Sequence, residues 1–274
     1  MSIRTQEISN QKQIVEHQKE LVQEKQKEII DSITYAKRLQ QAILPPKHFI
    51  TQHLPNNFVF YHPKDIVAGD FYWMHVEGDL IFIAAADSTG HGVPGAMVSI
   101  VCSNALEKAV NEFRLTDTGK ILDKTTDLVL DTFAKSGEEI KDGMDISLLC
   151  YNKLTKQITW SGANNQLWYI YNSELIEVKA DKQPIGKSDH RKNFTTHRIH
   201  CEEGTLFYLM TDGLPDQFGG PKGKKFKYKQ LQELLIANSN NSLNEQKTVI
   251  SNHFNDWKGN LEQVDDVTII GIKL

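Results

Sequence analysis

The sequence predicts an α+β sandwich that is preceded by one long N-terminal helix. A seven-residue apolar repeat occupies the first 43 residues, and short apolar runs separated by polar turns follow Pro55. The remaining helical segments come in groups and do not alternate regularly with the strands. Because regular strand-helix-strand crossovers are few, a doubly wound parallel sheet is disfavoured.

The N-terminal helix is predicted to be a linker through which two copies of the chain form a homodimer. No Gly or Pro precedes Pro45, and Pro45-Pro46 ends the helix. The d positions of the repeat are mostly polar, so we expect a weak parallel coiled coil, with a solitary charged helix as the alternative. The boundary predicts a helical coiled-coil linker over 1–44 and a second domain over 45–274. The a positions are Ile8, Val15, Val22, Ile29, Ala36 and Ile43.

The second region predicts strands and helices in a fixed order. Pro94 is expected as the first residue of a helix that continues to Val110. The four strands between 146 and 178 are predicted to form one antiparallel meander. Strands are predicted at 58–61, 70–76, 80–86, 146–151, 157–160, 167–171, 175–178, 194–199, 205–211 and 267–272, and further helices at 120–134, 228–237 and 243–257.

The composition is that of an ordinary soluble protein. The 274 residues are 39% hydrophobic and 24% charged, enough for one core plus an appendage. A net charge of -4 gives no reason to expect nucleic acid or an anionic membrane as partner. The three cysteines (Cys102, Cys150, Cys201) lack CxxC spacing, which favours a reducing cytoplasm, and no apolar run is long enough to predict a membrane segment.

Four aspartates stand at the ends of strand-like runs: Asp70, Asp87, Asp212 and Asp265. Each one alone is typical of an ordinary turn. If the strand ends meet at one edge, carboxylates about 4 Å apart repel by roughly 4 kcal/mol at an effective dielectric near 20. Bound cations would relieve this repulsion, so the pattern predicts a hard-metal site of the kind that handles phosphate.

The segment DSTGHGVPGA, residues 87–96, carries the strongest single signal. An acid ends an apolar strand and enters a glycine-rich turn before a helix, which suits a metal held by Asp87 and a nearby backbone carbonyl. A phosphate loop is the competing interpretation. The GxxxxGK[ST] motif of phosphate loops is absent.

The order of the motifs resembles one known family. ILPP, KDIVAGDFYW, DSTGHGVPGA, DGMDISLL, GANNQLW, QPIG, YLMTDGLPDQFGG and QVDDVTIIGI occur in succession over residues 44–274. This succession is similar to the SpoIIE-type branch of the PPM (phosphatase 2C-like) metal-dependent serine/threonine phosphatases. The resemblance implies an αββα sandwich with two Mn²⁺ or Mg²⁺ ions in a cleft at one end.

The resemblance also implies residue roles. Asp70, Asp87, Asp212 and Asp265 match the metal-binding acids, and Ser88 would offer its backbone carbonyl; Asp266 ranks below Asp265. The implied reaction is hydrolysis of a phosphoserine or phosphothreonine by a water that the two ions activate. The implied substrate is a phosphorylated regulatory protein, such as an anti-sigma-factor antagonist.

Several residues keep two interpretations. In relatives a His near the metal acid is proposed as general acid, but the spacing here favours a helix-start role for His91. Asp145 is either part of a weak third metal site or a surface acid. A lysine cluster after the TDG turn either docks an acidic partner or is a solvated loop. A catalytically silent module that binds a partner is the alternative function, against which the presence of all four acids argues.

Overall fold

The computed structural model describes residues 3–135, 141–200 and 202–274. The helices are α1 (Ile3–Ile43), α2 (Lys47–His53), α3 (Gly92–Asn111), α4 (Thr118–Ala134), α5 (Gly213–Asp216), α6 (Tyr228–Ala237) and α7 (Leu243–Lys258). The strands are β1 (Asn57–His62), β2 (Asp70–Glu77), β3 (Leu80–Ser88), β4 (Met144–Asn152), β5 (Ile158–Ala163), β6 (Leu167–Tyr171), β7 (Glu174–Val178), β8 (His197–Ile199), β9 (Leu206–Met210), β10 (Phe218–Gly219), β11 (Lys224–Lys225) and β12 (Val267–Lys273).

Two five-stranded antiparallel sheets form the centre of the molecule. Sheet one has the order β1-β12-β9-β6-β7 and sheet two the order β2-β3-β4-β5-β8. Apolar side chains such as Ile83, Trp160 and Phe207 fill the space between the sheets. Separate apolar clusters join sheet two to α3 and α4, and sheet one to α6 and α7. The predicted αββα sandwich is confirmed.

The predicted meander over 146–178 is wrong. β4 and β5 pair in sheet two, whereas β6 and β7 pair in sheet one. The chain leaves sheet two after Ala163, where Asn164 adopts a φ of 56° and its N–H donates to the carbonyl of Asp181. A short polar turn can therefore join two strands of the same sheet, as between β4 and β5, or carry the chain from one sheet to the other, as between β5 and β6.

Two predicted boundaries also differ. The expected strand over 194–199 is reduced to His197–Ile199, because the amides of Phe194 and Thr195 donate to the carboxylates of Asp123 and Asp181 and not to a neighbouring strand. Helix α3 begins at Gly92, two residues before the expected start at Pro94. Pro94 lies in the first turn, where its missing N–H removes no helical hydrogen bond. Helices α2 and α5 and the β10–β11 hairpin were not predicted.

Helix α1 is one uninterrupted helix, as predicted. From residue 10, where its side chains are described, its apolar residues are exposed along most of its length, and only its C-terminal end packs on the sandwich. No helix in the described ranges is long and apolar enough to cross a bilayer. Cys102 and Cys150 are free and buried, and Cys201 lies outside the described residues. The exposed apolar side chains on α1 include Ile14, Val15, Leu21, Val22 and Ile29.

Candidate metal centre

Three acids lie side by side on neighbouring strands of sheet two. Asp70 begins β2 and is paired in register with Asp87 near the end of β3. Asp87 is in turn paired with Asp145 on β4. Paired side chains on antiparallel strands share one face of the sheet at about 5 Å between Cβ atoms. Sheet two thus presents a row of carboxylates at one end.

Sheet one supplies two further acids to the same end. Asp212 follows β9 and precedes α5, where its side chain makes no capping hydrogen bond. Asp265 lies two residues before β12, the strand that pairs with β9. The two loops touch at Gly213, where an added Cβ would overlap the carbonyl oxygen of Asp266. Glycine is needed there for this close approach.

Asp70 is held from the opposite sheet. Its side chain is 1% exposed, and Oδ2 accepts hydrogen bonds from the hydroxyls of Thr211 and Thr268, each at 2.7 Å. The hydroxyl of Tyr61 donates to the backbone carbonyl of Asp70 at 3.2 Å. These contacts fix the orientation of the carboxylate and leave Oδ1 for a ligand.

Asp266 anchors the loop that leads to Asp70. Its Oδ1 accepts from the backbone N–H of Lys64 at 2.7 Å, and its Oδ2 accepts from the N–H of Gly69 at 2.6 Å. Both oxygens are therefore used inside the protein. Within the described ranges, Asp265 by comparison accepts only the N–H of Asp266, on Oδ1. The structure thus separates the two adjacent acids, with Asp265 the freer of them.

Ser88 lies where strand β3 meets the glycine-rich turn. Its hydroxyl is 2.7 Å from the carbonyl oxygen of Gly69 and 2.9 Å from that of Gly95. A Cβ on Gly69 would stand 2.9 Å from the carbonyl oxygen of Ser88 and would overlap that of Gly90. The missing side chain of Gly69 therefore lets backbone carbonyl oxygens crowd together beside Asp70 and Asp87.

Burial and mutual repulsion dominate the electrostatics of the cluster. Burial, followed by the charges of Asp70 and Asp212, raises the pKa of Asp87 to about 9. Burial and the charge of Asp216 raise the pKa of Asp212 to about 6. The pKa of Asp70 is also raised well above its ordinary value by burial, against the two threonine hydrogen bonds. Carboxylates in such a place ionise readily only beside a cation.

The donor set fits hard divalent cations. Carboxylate and carbonyl oxygens are the ligands that Mg²⁺ and Mn²⁺ prefer, and no sulfur or imidazole competes within the described cluster. Across the described ranges, no three His, Cys, Asp or Glu side chains already surround one point as ligands would.

Comparison with known proteins identifies the family. A family model described as Stage II sporulation protein E (SpoIIE) matches residues 77–274, more than half of the 274-residue chain. The chain belongs to the SpoIIE family. Its membership places it in the PPM phosphatase superfamily that the motifs predicted. No curated protein matches the sequence closely enough to count as a relative.

Solved structures of SpoIIE-type and other PP2C domains share the fold. The SiaA-PP2C domain of Pseudomonas aeruginosa is 29% identical with a TM-score of 0.83, covering 91% of this chain and 98% of that one. The structure of the PP2C phosphatase domain and a fragment of the regulatory domain of SpoIIE from Bacillus subtilis is 16% identical with a TM-score of 0.65, covering 80% of this chain and 63% of that one. RsbX in complex with magnesium is 20% identical with a TM-score of 0.55, covering 80% and 94%.

Two sequence-predicted residues of this SpoIIE-family chain lie at the margin of the cluster. His91 precedes the first residue of α3 without a capping hydrogen bond from its side chain, which is 59% exposed, and its Nδ1 is 3.2 Å from the carboxylate of Asp65. Asp145 is half-buried, and its Oδ1 accepts from the side-chain amide of Asn164 at 2.8 Å. Its pKa is raised by burial. Asp145 therefore belongs to the row of acids on sheet two but is hydrogen-bonded to a side chain outside that row.

Gln40 of α1 makes a contact with the loop before β2 that was not predicted from the sequence. Its side chain is buried; Nε2 donates to the carbonyl of Ala68 and to the hydroxyl of Ser99, and Oε1 accepts from the N–H of Ala68 at 3.1 Å. Ala68 is two residues before Asp70. The long helix of this SpoIIE-family chain is thus joined by a two-way hydrogen bond to the loop that carries a candidate metal ligand.

Proposed function

We propose that this chain is a metal-dependent protein serine/threonine phosphatase that hydrolyses a phosphoserine or phosphothreonine on a regulatory protein. The observation that carries the proposal is the convergence of Asp70, Asp87, Asp212 and Asp265 on one end of the sandwich, where the described residues place no cationic side chain among them. These four carboxylates and the carbonyl of Ser88 are the proposed holders of two Mn²⁺ or Mg²⁺ ions.

The bound ions would supply a water activated for in-line attack on phosphorus and would neutralise phosphate oxygens. The protein supplies orientation. Thr211 and Thr268 fix one oxygen of Asp70, which leaves the other oxygen for a cation. Asp87 and Asp212, whose carboxylates accept no hydrogen bond in the described part of the chain, are free to turn toward a cation. The cluster offers carboxylates and no cysteine or serine nucleophile paired with a base.

Two domains act together in this proposal, a helical linker over 1–44 and a phosphatase domain over 45–274. The linker joins two copies into a homodimer through its exposed apolar stripe and transmits an upstream signal through Gln40. The relative from Bacillus subtilis is described as a cell fate determinant with a regulatory domain, which supports a regulatory phosphoprotein as substrate here. An anti-sigma-factor antagonist is the class of substrate that we propose.

Hydrolysis of p-nitrophenyl phosphate and of a phosphoserine protein, with and without Mn²⁺, tests this function. We expect turnover that requires the metal and is lost in Asp87→Ala and Asp212→Ala, because each removes a carboxylate from the cluster. Asp79→Ala is the matched control, since Asp79 is an exposed acid in the turn at the opposite end of β2 and β3. Turnover that persists in a chelator would overturn the proposal.

Calorimetric titration with Mn²⁺ separates the enzyme from the silent binding module. The enzyme binds the metal and loses this binding in Asp87→Ala. A module that merely sequesters a partner would bind the partner equally well in the wild type and in Asp87→Ala, and would release no heat with Mn²⁺.

A further inference from the structure

A cluster of lysines lies on the short hairpin after the Asp212 turn. We call residues 218–229 the lysine hairpin; it comprises β10, β11 and the segment that enters α6. An interval of eight residues contains five lysines, all exposed: Lys222, Lys224, Lys225, Lys227 and Lys229. The whole chain has a net charge of -4, so this positive charge is local.

Four of these lysines surround one hollow. The hollow measures about 290 Å³ and is lined by Lys222, Lys224, Lys225 and Lys227 together with Gly219, Pro221, Gln230 and Trp257. A second hollow of about 390 Å³ continues from it and shares Pro221, Gln230 and Trp257. The acids Glu233 and Asp256 line only the second hollow. The groove is therefore cationic at the hairpin end.

Most of this positive charge is available to a partner. Lys225 pairs with Asp216 at 2.8 Å, and Lys229 lies 4.0 Å from Glu233. Within the described ranges, Lys222, Lys224 and Lys227 have no ion pair. An exposed lysine without an ion pair is well hydrated, and no existing ion pair has to be broken before it pairs with an anion of a binding partner.

The hairpin is a formed surface. The indole N–H of Trp257 and the amide of Phe226 both donate to the carbonyl of Gln217, at 3.0 and 2.9 Å. The Phe226 ring stands edge-on to Trp257 with centroids 5.2 Å apart. The amide of Lys227 donates to the carbonyl of Pro215 at 2.7 Å. A surface fixed in this way loses little conformational entropy when it binds.

The hairpin is also attached to both loops of sheet one that carry candidate ligands. The single turn α5 separates it from Asp212, whose carbonyl accepts from the N–H of Asp216 at 2.9 Å. The buried side chain of Gln217 accepts from the N–H of Val264, the residue before Asp265, at 3.0 Å. The hairpin therefore begins one helical turn after Asp212 in the chain and is hydrogen-bonded to the loop that carries Asp265.

From this placement we propose that the lysine hairpin binds an acidic segment of the phosphorylated substrate protein, next to the residue that is dephosphorylated. The inference rests on the proposed function and adds the class of substrate: phosphoproteins with Asp or Glu close to the phosphorylated residue. Lys222, Lys224 and Lys227 pair with these acids, and Trp257 offers an apolar wall to a side chain between them.

The test compares two phosphoserine peptides that differ in their flanking residues, one with Glu and one with Gln at the same positions. The enzyme is the full chain with Mn²⁺, as wild type and as the double variant K222E/K224E. The control is K153E/K156E, since both lysines lie in the β4–β5 turn, at the end of the sheet away from Asp145. All three proteins are also assayed with p-nitrophenyl phosphate.

We expect the acidic peptide to be the better substrate of the wild type by about fivefold to tenfold in kcat/KM, as two exposed charge contacts allow. This preference should vanish in K222E/K224E, persist in K153E/K156E and weaken with added salt. Hydrolysis of p-nitrophenyl phosphate should be the same in all three proteins, because this substrate does not reach the hairpin.

Three outcomes would overturn the inference: no preference for the acidic peptide, a preference unchanged in K222E/K224E, or an equal loss in the control variant. Binding of a single-stranded oligonucleotide that K222E/K224E alone abolishes, with no difference between the peptides, would assign the hairpin to nucleic acid and would also overturn it. Absence of Mn²⁺-dependent hydrolysis of p-nitrophenyl phosphate in the wild type is the separate failure of the proposed function.

Discussion

At the scale of single residues, the cluster stores electrostatic repulsion. Asp87 is flanked in register by Asp70 and Asp145 and faces Asp212 and Asp265 from the other sheet. Among the described residues no cationic side chain belongs to this group, and the charge of Lys225 lowers the pKa of Asp212 from outside it. The carboxylates are thus arranged at a cost in stability, which is a common property of binding sites.

The metal-free protein should lose stability as the pH rises. Unfolded Asp87 titrates near 3.8 and folded Asp87 near 9, so between these values the folded state holds a proton that the unfolded state has released. Because the unfolded state binds fewer protons there, the free energy of unfolding falls as the pH increases. We expect Tm in a chelator to drop by several degrees between pH 5 and about 9.

Scanning calorimetry of the wild type and Asp87→Asn measures this effect. The amide does not titrate and adds no charge, so the variant should show a flatter dependence of Tm on pH. Mn²⁺ should raise the Tm of the wild type most at high pH, where the carboxylates are ionised, and should do little for the variant. The same slope in both metal-free proteins would contradict the assignment.

Replacement of Asp266 should act through the backbone. Asp266→Asn leaves one of the two amide N–H groups of Lys64 and Gly69 without an acceptor. We expect a loss of about 1–3 kcal/mol in the free energy of unfolding, measured in urea. Mn²⁺ affinity should also fall, since the loop over 64–69 leads into Asp70. Asp256→Asn, an exposed acid on α7, is the control and should change neither quantity.

The sequence predicted the candidate acids because each marks a strand end, a signal contained in a few neighbouring residues. The hydrogen bonds that support these acids could not be predicted in this way, because they join residues that are far apart in the sequence. Thr268 donates to Asp70 across nearly two hundred residues, and Gln217 holds Val264 across forty-seven. Polar residues of these types are common in strands and turns, and only the packing of the two sheets shows which of them meet.

At the scale of elements, the contact between α1 and the loop before β2 has the largest consequence. Gln40→Ala removes a side chain that satisfies both the N–H and the carbonyl of Ala68 in a buried place. We expect a loss of about 1–3 kcal/mol in the free energy of unfolding and weaker Mn²⁺ binding, measured by urea titration and calorimetry. The exposed neighbour Gln41 provides the control variant Gln41→Ala. Equal effects of both substitutions would exclude a specific role for Gln40.

The elements themselves followed from local patterns more reliably than their arrangement did. The predicted ends of α1, α4, α6 and α7 agree with the observed ends to within two residues, apart from the start of α1. Helices are predicted this well because an amphipathic face repeats along the helix. It did not show that β5 and β6 belong to different sheets. That choice is made by Asn164 and Asp181, whose backbone contact lies outside any repeating pattern.

At the scale of the whole molecule, the exposed apolar face of α1 bears on the oligomeric state. Its apolar residues are exposed, with Val15 at 61% and Val22 at 64%, and nothing in the described part of the chain covers them. A second copy of the helix would bury this stripe. We predict a homodimer for the wild type and a monomer for the double variant Val15→Glu and Val22→Glu, measured by sedimentation equilibrium.

His17→Glu is the control for this prediction, because position 17 lies on the face of the helix away from positions 15 and 22. The control should remain a dimer. A wild type that sediments as a monomer at micromolar concentration would leave α1 as a solitary charged helix.

The division of the acids between the two sheets has a mechanical meaning. Sheet two contributes Asp70 and Asp87, and sheet one contributes Asp212 and Asp265 through the loops beside β9 and β12. A cation bound at this end would link the two sheets, because it would take ligands from both. Sliding one sheet past the other by a single residue, about 3.3 Å, would separate the two pairs of ligands. A partner that shifts one sheet against the other would then release the cation without contacting any of its ligands.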